Sequence, residues 1–323
     1  MNSKTIHSRR SFLQLAGAAG AGASLIGFTL PFNNLHVQGT SDAWKVFMFS
    51  KHLQFLDYDE TAETMKEAGL DGADLTVRPG GHVLPENVET DLPKAVHAFA
   101  KAGLKIGMMT TRITDPDDAY TKPILKTAAD TGIKYYRMGY LRYDDDLSIE
   151  KSIHKHQKQV ADLAELNSKY EIHGAYQNHA GRRIGGPVWD VWMLIKDLNP
   201  AWIGCQYDIR HAVVEGGYSW PLAIKLLQKH IKTIVIKDFK WIKTQDRGWR
   251  AVSVPLGEGM VDFDEYFTLL KQLNIQAPVS LHFEYPLYEG ENFSKAEKRA
   301  KATETIQQDV EKLKIMLKRN GLT

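Results

Sequence analysis

Short apolar runs and amphipathic stretches alternate eight times along the chain after Trp44. Three of the amphipathic stretches end in a glycine that precedes the next apolar run, in the segments AGLDGADL, AGLKIGMM and TGIKYYRM. A glycine just past a helix accepts the left-handed conformation that ends the helix, and alternating strands and helices form a parallel sheet. Eight such units predict a closed (β/α)8 TIM barrel, with an open doubly wound sheet as the alternative.

The boundaries of the predicted elements follow from the same alternation. The strands are predicted over 45–50, 72–77, 104–110, 134–139, 172–178, 202–208, 233–238 and 278–284. The helices are predicted over 57–68, 92–102, 117–130, 148–170, 188–198, 220–230, 263–273 and 294–319. No Gly-x-Gly-x-x-Gly sequence opens any of these helices, so nothing indicates dinucleotide binding. Residues 41–323 are therefore interpreted as a single barrel domain.

The first forty residues have a different character. They contain Lys4, Arg9 and Arg10 and no acidic residue, and the arginine pair is followed by Phe12-Leu13 and an Ala- and Gly-rich apolar run. This pattern is typical of a twin-arginine (Tat) export signal. Residues 1–40 are therefore predicted to be recognised by the Tat export machinery, which predicts an exported, periplasmic protein. An ordinary Sec signal, a poorly ordered start of the chain and an uncleaved membrane anchor are the alternatives.

Charge and cysteine content exclude several classes of protein. The 323 residues include 41 basic and 39 acidic ones. Without the three basic residues of the leader, 38 basic residues face 39 acidic ones. A nearly neutral barrel has no field that would attract nucleic acid. The single cysteine, Cys205, excludes an intrachain disulfide and any metal site that needs two cysteine ligands.

Polar side chains gather where the predicted strands end. In a TIM barrel the carboxyl ends of the strands and the loops that follow them carry the catalytic groups. A barrel selected only for stability would have Val, Ile and Leu at these positions. The candidate site residues are Arg78, His82, Arg137, Gln177, Asn178, His179, Asp208, His211, Lys237, His282 and Glu284.

Side-chain alternation along a strand groups some of these candidates. Gln177 and His179 share one face of the fifth strand, and His282 and Glu284 share one face of the eighth. Asp208 is followed by a turn that can bring a later histidine to the same centre. Carboxylate, imidazole and amide oxygen are ligands for a divalent cation such as Mn²⁺, Mg²⁺ or Zn²⁺.

The strand-end sequences also carry a family resemblance. QNH at 177–179, DIRH at 208–211, IKD at 236–238 and FEY at 283–285 resemble the xylose isomerase-like TIM-barrel superfamily of sugar phosphate isomerases and epimerases. The resemblance extends over residues 44–290. It is closer to secreted members that are similar to the catalytic subunits of C-glycoside deglycosidases and keto-glycoside lyases. Barrels of this family often form dimers or tetramers, which implies a homo-oligomer.

The resemblance implies a particular chemistry. One divalent metal is held by Glu, Asp, His and Glu from strands five to eight, and the two glutamates move protons through a sugar enediolate. By position, Asp208 and Glu284 match two of the metal ligands, and His211 matches the substrate-binding histidine that follows the aspartate.

Two positions depart from the family pattern. Gln177 stands where the fifth-strand glutamate is expected, and Val235 stands where the seventh-strand histidine is expected. A glutamine can ligate through its carbonyl oxygen but cannot act as a base at neutral pH, and a valine cannot ligate. His179, His282 or a histidine from a loop is the alternative ligand.

These observations assign roles to the candidates. The predicted metal ligands are Asp208, Glu284 and Gln177. The predicted catalytic residues are Glu284, His179 and Lys237. The predicted substrate-binding residues are His211, Arg78, His82, Arg137, Asn178 and His282.

The predicted function is an exported sugar isomerase or epimerase that removes a proton next to a carbonyl, assisted by a divalent metal. Export favours an unphosphorylated carbohydrate, because sugar phosphates are mainly cytoplasmic. A lyase that eliminates the aglycone of a keto-glycoside through the same intermediate is one alternative. A barrel that binds sugar without turnover, alone or as a subunit of a complex, is another, favoured by Gln177 and Val235.

Overall fold

The computed structural model describes residues 43–246, 248–288 and 292–322. The predicted export signal lies outside these ranges. The strands within them are β1 (Val46–Phe49), β2 (Gly72–Thr76), β3 (Lys105–Thr110), β4 (Tyr135–Arg137), β5 (His173–Gln177), β6 (Ile203–Asp208), β7 (Ile231–Ile236), β8 (Asp238–Thr244), β9 (Gly248–Val254) and β10 (Val279–Leu281). The helices are α1 (Tyr58–Glu67), α2 (Val88–Lys101), α3 (Thr121–Asp130), α4 (Ile149–Tyr170), α5 (Val188–Ile195), α6 (Ile209–Gly216), α7 (Trp220–Leu227), α8 (Phe263–Gln272) and α9 (Lys295–Arg319).

Eight parallel strands close into a barrel in the order β1-β10-β7-β6-β5-β4-β3-β2. Closure is direct, because β1 pairs in parallel with both β2 and β10. The predicted (β/α)8 TIM barrel is therefore confirmed, and the open-sheet alternative is wrong. All carboxyl ends of the barrel strands face the same rim, so the polar residues that follow them meet there.

The glycines that follow three helices adopt the left-handed conformation that the sequence predicts. Gly69, Gly103 and Gly132 follow α1, α2 and α3 with φ angles of 78°, 79° and 82°. Helices also begin at capping side chains: Asp57 and Ser294 each accept a hydrogen bond from the third residue of α1 and α9 respectively. Within the described ranges, no helix is both long and apolar enough to cross a membrane.

Two elements at the site rim differ from the predicted layout. Helix α6 begins directly after β6, with the Asp208 side chain as its cap, and was not predicted. The segment after β7 forms an antiparallel hairpin of β8 and β9 that lies outside the barrel sheet. Strand β10 ends at Leu281, so His282 and Glu284 lie in the loop after the strand rather than on it.

Asp238 anchors the chain that returns from this hairpin. Its Oδ1 accepts hydrogen bonds from the backbone amides of Phe239 and Val261, at 2.8 and 3.2 Å. Its Oδ2 accepts from Gly257 and Gly259, at 3.1 and 2.8 Å. A Cβ atom on Gly259 would lie 2.0 Å from Asp238 Oδ1, so this close approach requires glycine. The 1% exposed carboxylate thus satisfies four backbone donors.

We expect Asp238→Asn to lower the free energy of unfolding by about 2–4 kcal/mol, because the amide turns an N–H group towards donors that need an acceptor. Urea denaturation measures the change. Asp130→Asn is the control: it alters a 60% exposed carboxylate paired with Lys126, and we expect a change within about 0.5 kcal/mol. Equal stability of the two variants would show that this carboxylate does not hold the loop.

Candidate active site

Lys237 lies at the centre of a polar cluster on the carboxyl rim. It directly follows β7, and its Nζ lies 3.1 Å from Asp208 Oδ2 and 3.3 Å from Glu284 Oε2. The same Nζ lies 2.9 Å from His211 Nε2. The Lys237 side chain is 2% exposed and that of Asp208 is fully buried. The buried ammonium and carboxylate stabilise each other, because either one alone would carry an uncompensated desolvation penalty.

Asp208 is fixed on all sides by the ends of β5 and β6. Its Oδ1 accepts from the backbone N–H of His211 at 3.1 Å, which starts α6. Its Oδ2 accepts from Gln177 Nε2 at 2.8 Å. Asn178 exchanges two hydrogen bonds with the Asp208 main chain, at 2.8 and 2.9 Å. Burial raises the pKa of Asp208, and the Lys237 ammonium opposes that rise.

Gln177 faces Asp208 with its amide N–H group, not its oxygen. The oxygen Oε1 accepts from Tyr140 Oη at 2.6 Å and from Arg137 Nη1 at 3.1 Å. Because both of these groups donate, they fix the orientation of the amide. The Gln177 carbonyl oxygen therefore points away from the Asp208 carboxylate and is occupied.

Glu284 is the carboxylate of the cluster that reaches solvent, with 27% of its side chain exposed. It lines an open cavity of about 460 Å³ together with Lys51, His52 and Tyr285. Lys51 Nζ lies 3.4 Å from Oε1. Burial raises the pKa of Glu284, but the positive charges of Lys237 and then Lys51 hold it well below its usual range. Glu284 is thus ionised at any physiological pH.

Two neutral histidine rings complete the cluster. The rings of His179 and His211 lie 4.0 Å apart between centroids, with a 33° angle between their planes. Burial, followed by the charge of Lys237, lowers the pKa of His179 to about 4 and that of His211 well below its usual value. His179 Nδ1 lies 2.9 Å from the Ala180 carbonyl oxygen. A carbonyl only accepts, so Nδ1 carries the proton and Nε2 carries the lone pair.

His282 is a buried neighbour of Glu284. Its ring packs against Phe49 at 4.6 Å between centroids, and its Nε2 lies 3.1 Å from Ser280 Oγ. Its Nδ1 lies 3.9 Å from Glu284 Oε1 and has no hydrogen-bond partner. Burial lowers the pKa of His282 to about 3, so the ring is neutral.

The donor set does not fit the divalent metal that the sequence predicts. Among the described residues, no three His, Cys, Asp or Glu side chains are placed to hold one ion. The groups that would ligate it, Asp208 and Glu284, converge instead on the Lys237 ammonium. Gln177 presents N–H to this centre, and Val235, which pairs with Asp208 across β6 and β7, is fully buried and brings no ligand.

The structure brings seven predicted residues together: Asp208, His211, Lys237, Glu284, His179, Gln177 and His282. It places others elsewhere. His82 lies within the loop after β2, where Nδ1 is 3.0 Å from Ser50 Oγ and Nε2 is 3.2 Å from the Leu53 carbonyl oxygen. Both ring nitrogens are therefore used inside the protein. Asn178 holds the Asp208 backbone and does not face the centre.

Two site residues were not predicted to have a role. Lys51 pairs with Glu284, and Tyr140 fixes the orientation of Gln177. Both follow barrel strands, so their position at the strand ends was visible in the sequence, but their partners come from distant strands. Arg78 and Arg137, predicted to bind substrate, line a neighbouring cavity with Tyr140.

Fold and site together define a class of protein: a parallel eight-stranded barrel with a buried polar cluster at its carboxyl rim. The chain belongs to the xylose isomerase-like TIM barrel family, whose sequence model matches residues 62–316. The family predicted from the strand-end motifs is therefore confirmed. No curated protein matches this chain.

Solved structures similar to this fold include several sugar epimerases. A D-allulose 3-epimerase from Methylomonas sp. is 14% identical, with a TM-score of 0.61 over 85% of this chain and 99% of that one. A 3-keto-D-glucoside 4-epimerase from E. coli is 14% identical, with a TM-score of 0.56 over 81% and 98%. A xylose isomerase-like protein from Mycobacterium smegmatis in complex with magnesium is 15% identical, with a TM-score of 0.58 over 83% and 96%. At these identities the likeness shows the fold.

Proposed function

We propose that this chain is a carbohydrate isomerase or epimerase that moves a proton at the carbon next to a sugar carbonyl, with a lysine ammonium as its electrophile. The observation that carries the proposal is the buried Lys237, in contact with Asp208, Glu284 and His211 where the strands end. The sugar epimerases among similar structures support the substrate class.

Lys237 supplies the positive charge that enolisation needs. An α-proton leaves a sugar only when the charge that develops on the carbonyl oxygen is stabilised. An ammonium has three N–H donors, and here Nζ lies in contact with the Asp208 and Glu284 carboxylates and with the His211 ring. The contact with Glu284, at 3.3 Å, is the longest of the three, so it is the one that a substrate oxygen replaces most readily.

Glu284 is the proposed base. When the carbonyl oxygen takes up a hydrogen bond from Lys237, the ammonium holds Glu284 less tightly and the carboxylate becomes more basic. Glu284 then takes the α-proton, and the C–H electron pair forms the C=C bond of the enediolate. The carbonyl π pair moves onto the oxygen beside Lys237. General bases of this kind contribute about 10²–10⁴-fold.

His179 is the second proton carrier. Its Nε2 lone pair and partial exposure allow it to act on the same intermediate. Return of the proton from Glu284 to the adjacent carbon, while His179 Nε2 carries the hydroxyl proton from one enediolate oxygen to the other, gives isomerisation. Delivery of a solvent proton to the opposite face, with Glu284 releasing its own proton to solvent, gives epimerisation. Expulsion of a β-substituent from the enediolate would instead make the protein a lyase on keto-glycosides, a second candidate supported by the likeness to a keto-glucoside epimerase.

We also propose that the protein is exported to the periplasm. The twin-arginine sequence around Arg9 and Arg10 supports export by the Tat machinery to the periplasm, and thus an extracytoplasmic carbohydrate. A homo-oligomer remains a prediction from the family resemblance.

We expect the purified protein to exchange the α-proton of a carbonyl sugar with D₂O. NMR on a panel of free sugars and keto-glycosides measures this exchange. Glu284→Gln should slow exchange by about 10²-fold or more, because the amide cannot accept the proton. Glu304→Gln, on the exposed face of α9, is the matched control and should leave exchange unchanged. Absence of exchange on every carbonyl sugar would favour a sugar-binding barrel without turnover.

A further inference from the structure

A second cavity adjoins the active site and is walled by arginines. It measures about 500 Å³, within the range of small-molecule sites. The loops or ends of four successive strands, β2 to β5, each contribute. The arginines that line it are Arg78, Arg112, Arg137, Arg142, Arg182 and Arg183.

The charge of these six side chains is poorly compensated. In the part of the chain that the structure describes, none of them has a carboxylate oxygen within ion-pair distance, since the ion pairs there involve other residues. Arg137 is 6% exposed, and its Nε has no hydrogen-bond partner. Burial, then repulsion from Arg137 and Arg112, lowers the pKa of Arg78.

Nearby carboxylates are already engaged. Asp74 is fully buried and accepts hydrogen bonds from Thr110 Oγ1 at 2.9 Å and Ser280 Oγ at 2.6 Å. Asp115 and Asp118 line an adjoining space of about 160 Å³ with Arg78 and Arg112. Each accepts a hydrogen bond from the backbone amide two residues further on. These groups leave the cavity with an excess of positive charge.

Three of the six guanidinium groups lie against aromatic rings. Arg183 lies over the Tyr140 ring at 4.4 Å from its centroid, and Arg137 lies 5.1 Å from the same ring. Arg78 and Arg137 both lie within 6 Å of the Phe49 ring. Cation–π contacts of this kind orient a planar guanidinium. Positioned guanidinium forks are suited to bind the two oxygens of an oxyanion.

Two hydrogen bonds connect the cavity to the catalytic cluster. Arg137 Nη1 donates to Gln177 Oε1 at 3.1 Å, and Gln177 Nε2 donates to Asp208 Oδ2 at 2.8 Å. Asp208 in turn contacts Lys237. A group bound by Arg137 therefore lies one side chain away from the residues that surround Lys237.

We propose that the arginine cavity binds an oxyanion carried by the carbohydrate substrate, so that the enzyme acts on an acidic sugar rather than a neutral one. The reaction on an acidic sugar rests on the proposed function, whereas the binding of an oxyanion in the cavity does not. Carboxylate, sulfate and phosphate share the required chemistry. A neutral sugar of the same size would leave the six guanidinium groups with only the nearby aspartates as counter-charges.

Calorimetric titration with D-glucuronate, D-glucose 6-sulfate, D-glucose 6-phosphate and D-glucose tests this. At least one oxyanion should bind more tightly than glucose, and which one binds best identifies the anion. The triple variant Arg112→Gln/Arg142→Gln/Arg182→Gln should weaken that binding about tenfold or more. These three side chains are exposed, so the fold should tolerate their loss. Equal binding of all four probes would overturn the inference.

A charge-matched variant separates local binding from general attraction. Lys101, Lys126 and Lys158 lie on outer helices, with 70%, 61% and 84% of their side chains exposed. Changing all three to Gln removes the same charge far from the cavity and should leave oxyanion binding unchanged. If this variant weakens binding as much as the arginine triple variant, the cavity is not the binding site.

The two proposals can fail separately. Loss of oxyanion binding in the arginine variant, with no α-proton exchange on any sugar, supports the cavity and contradicts the enediolate chemistry. Equal exchange of neutral carbonyl sugars by the wild type and the arginine variant, with no preference for oxyanions, contradicts the cavity and leaves the chemistry standing.

Discussion

Lys237→Met is expected to slow α-proton exchange by about 10³-fold, since loss of one oxyanion-stabilising donor alone costs 10²–10³-fold and here a charge is lost as well. Lys237→Arg should not restore the rate, because a planar guanidinium cannot occupy the position of a compact ammonium among three partners. Exchange in D₂O followed by NMR gives both rates. A Lys237→Met protein that folds and exchanges as fast as the wild type would remove Lys237 from the mechanism.

Loss of rate must be separated from loss of fold. Without Lys237, the buried Asp208 carboxylate has lost its closest cation, which costs about 3–5 kcal/mol of stability when a buried pair is broken. The double variant Lys237→Met/Asp208→Asn removes both charges and should recover most of that stability in urea denaturation while remaining inactive. Lys45→Met, at a half-exposed surface pair with Asp71, is the control for loss of a lysine.

Metal dependence distinguishes a lysine electrophile from the metal that the sequence predicts. The wild type should keep its exchange rate after dialysis against EDTA, because the Lys237 ammonium is the cation that Asp208 and Glu284 contact. Elemental analysis of the purified protein provides the direct measurement. Stoichiometric Mn²⁺, Mg²⁺ or Zn²⁺ that disappears in Asp208→Ala would contradict the lysine-centred site.

The barrel could be predicted because its signals are local. A glycine such as Gly69 ends a helix through its own backbone conformation, and an apolar run needs no distant partner to be recognised as a buried strand. The two missed elements lack such signals. Helix α6 begins at Asp208 with no intervening loop and has only eight residues. The β8–β9 hairpin is largely exposed and has no apolar run to mark it.

The members of the site were predictable, but their pairing was not. Barrel closure brings strand ends together, so Asp208, Lys237 and Glu284 could be expected on one rim. The orientation of the Gln177 amide depends on two hydrogen-bond donors, Arg137 and Tyr140. They hold its amide oxygen away from the centre. Spacing along the chain does not specify which way a side-chain amide points, so the ligand role assigned to Gln177 followed from its position alone.

Acid should destabilise this fold through its neutral, shielded histidines, among them His173 and His282. Burial lowers the pKa of His173 to about 4 and that of His282 to about 3. His173 Nδ1 lies 3.0 Å from the Ala201 carbonyl oxygen, and its buried Nε2 has no partner for a second proton. The unfolded chain therefore takes up protons near pH 6.5, before the folded chain does.

Stability is thus complete above about pH 6.5 and falls as the pH drops towards the folded pKa values. At pH 4.5 each histidine costs about 2.5 kcal/mol, or about 5 kcal/mol together, which is the size of the total stability of many domains. Asp74 and Asp208, whose pKa values burial raises, take up protons in the folded state and oppose this loss. A comparison of variants therefore isolates the histidine contribution better than the wild-type curve does.

His173→Gln keeps a donor for the Ala201 carbonyl but cannot titrate. Between pH 7.5 and 4.5, its free energy of unfolding should fall by about 2.5 kcal/mol less than that of the wild type. His154→Gln, on the exposed side of α4, should follow the wild-type curve. Urea denaturation at several pH values measures the difference directly. If His173→Gln and the wild type lose the same stability, His173 takes up its proton at the same pH in the folded protein as in the unfolded chain, and its buried ring nitrogen must have an acceptor.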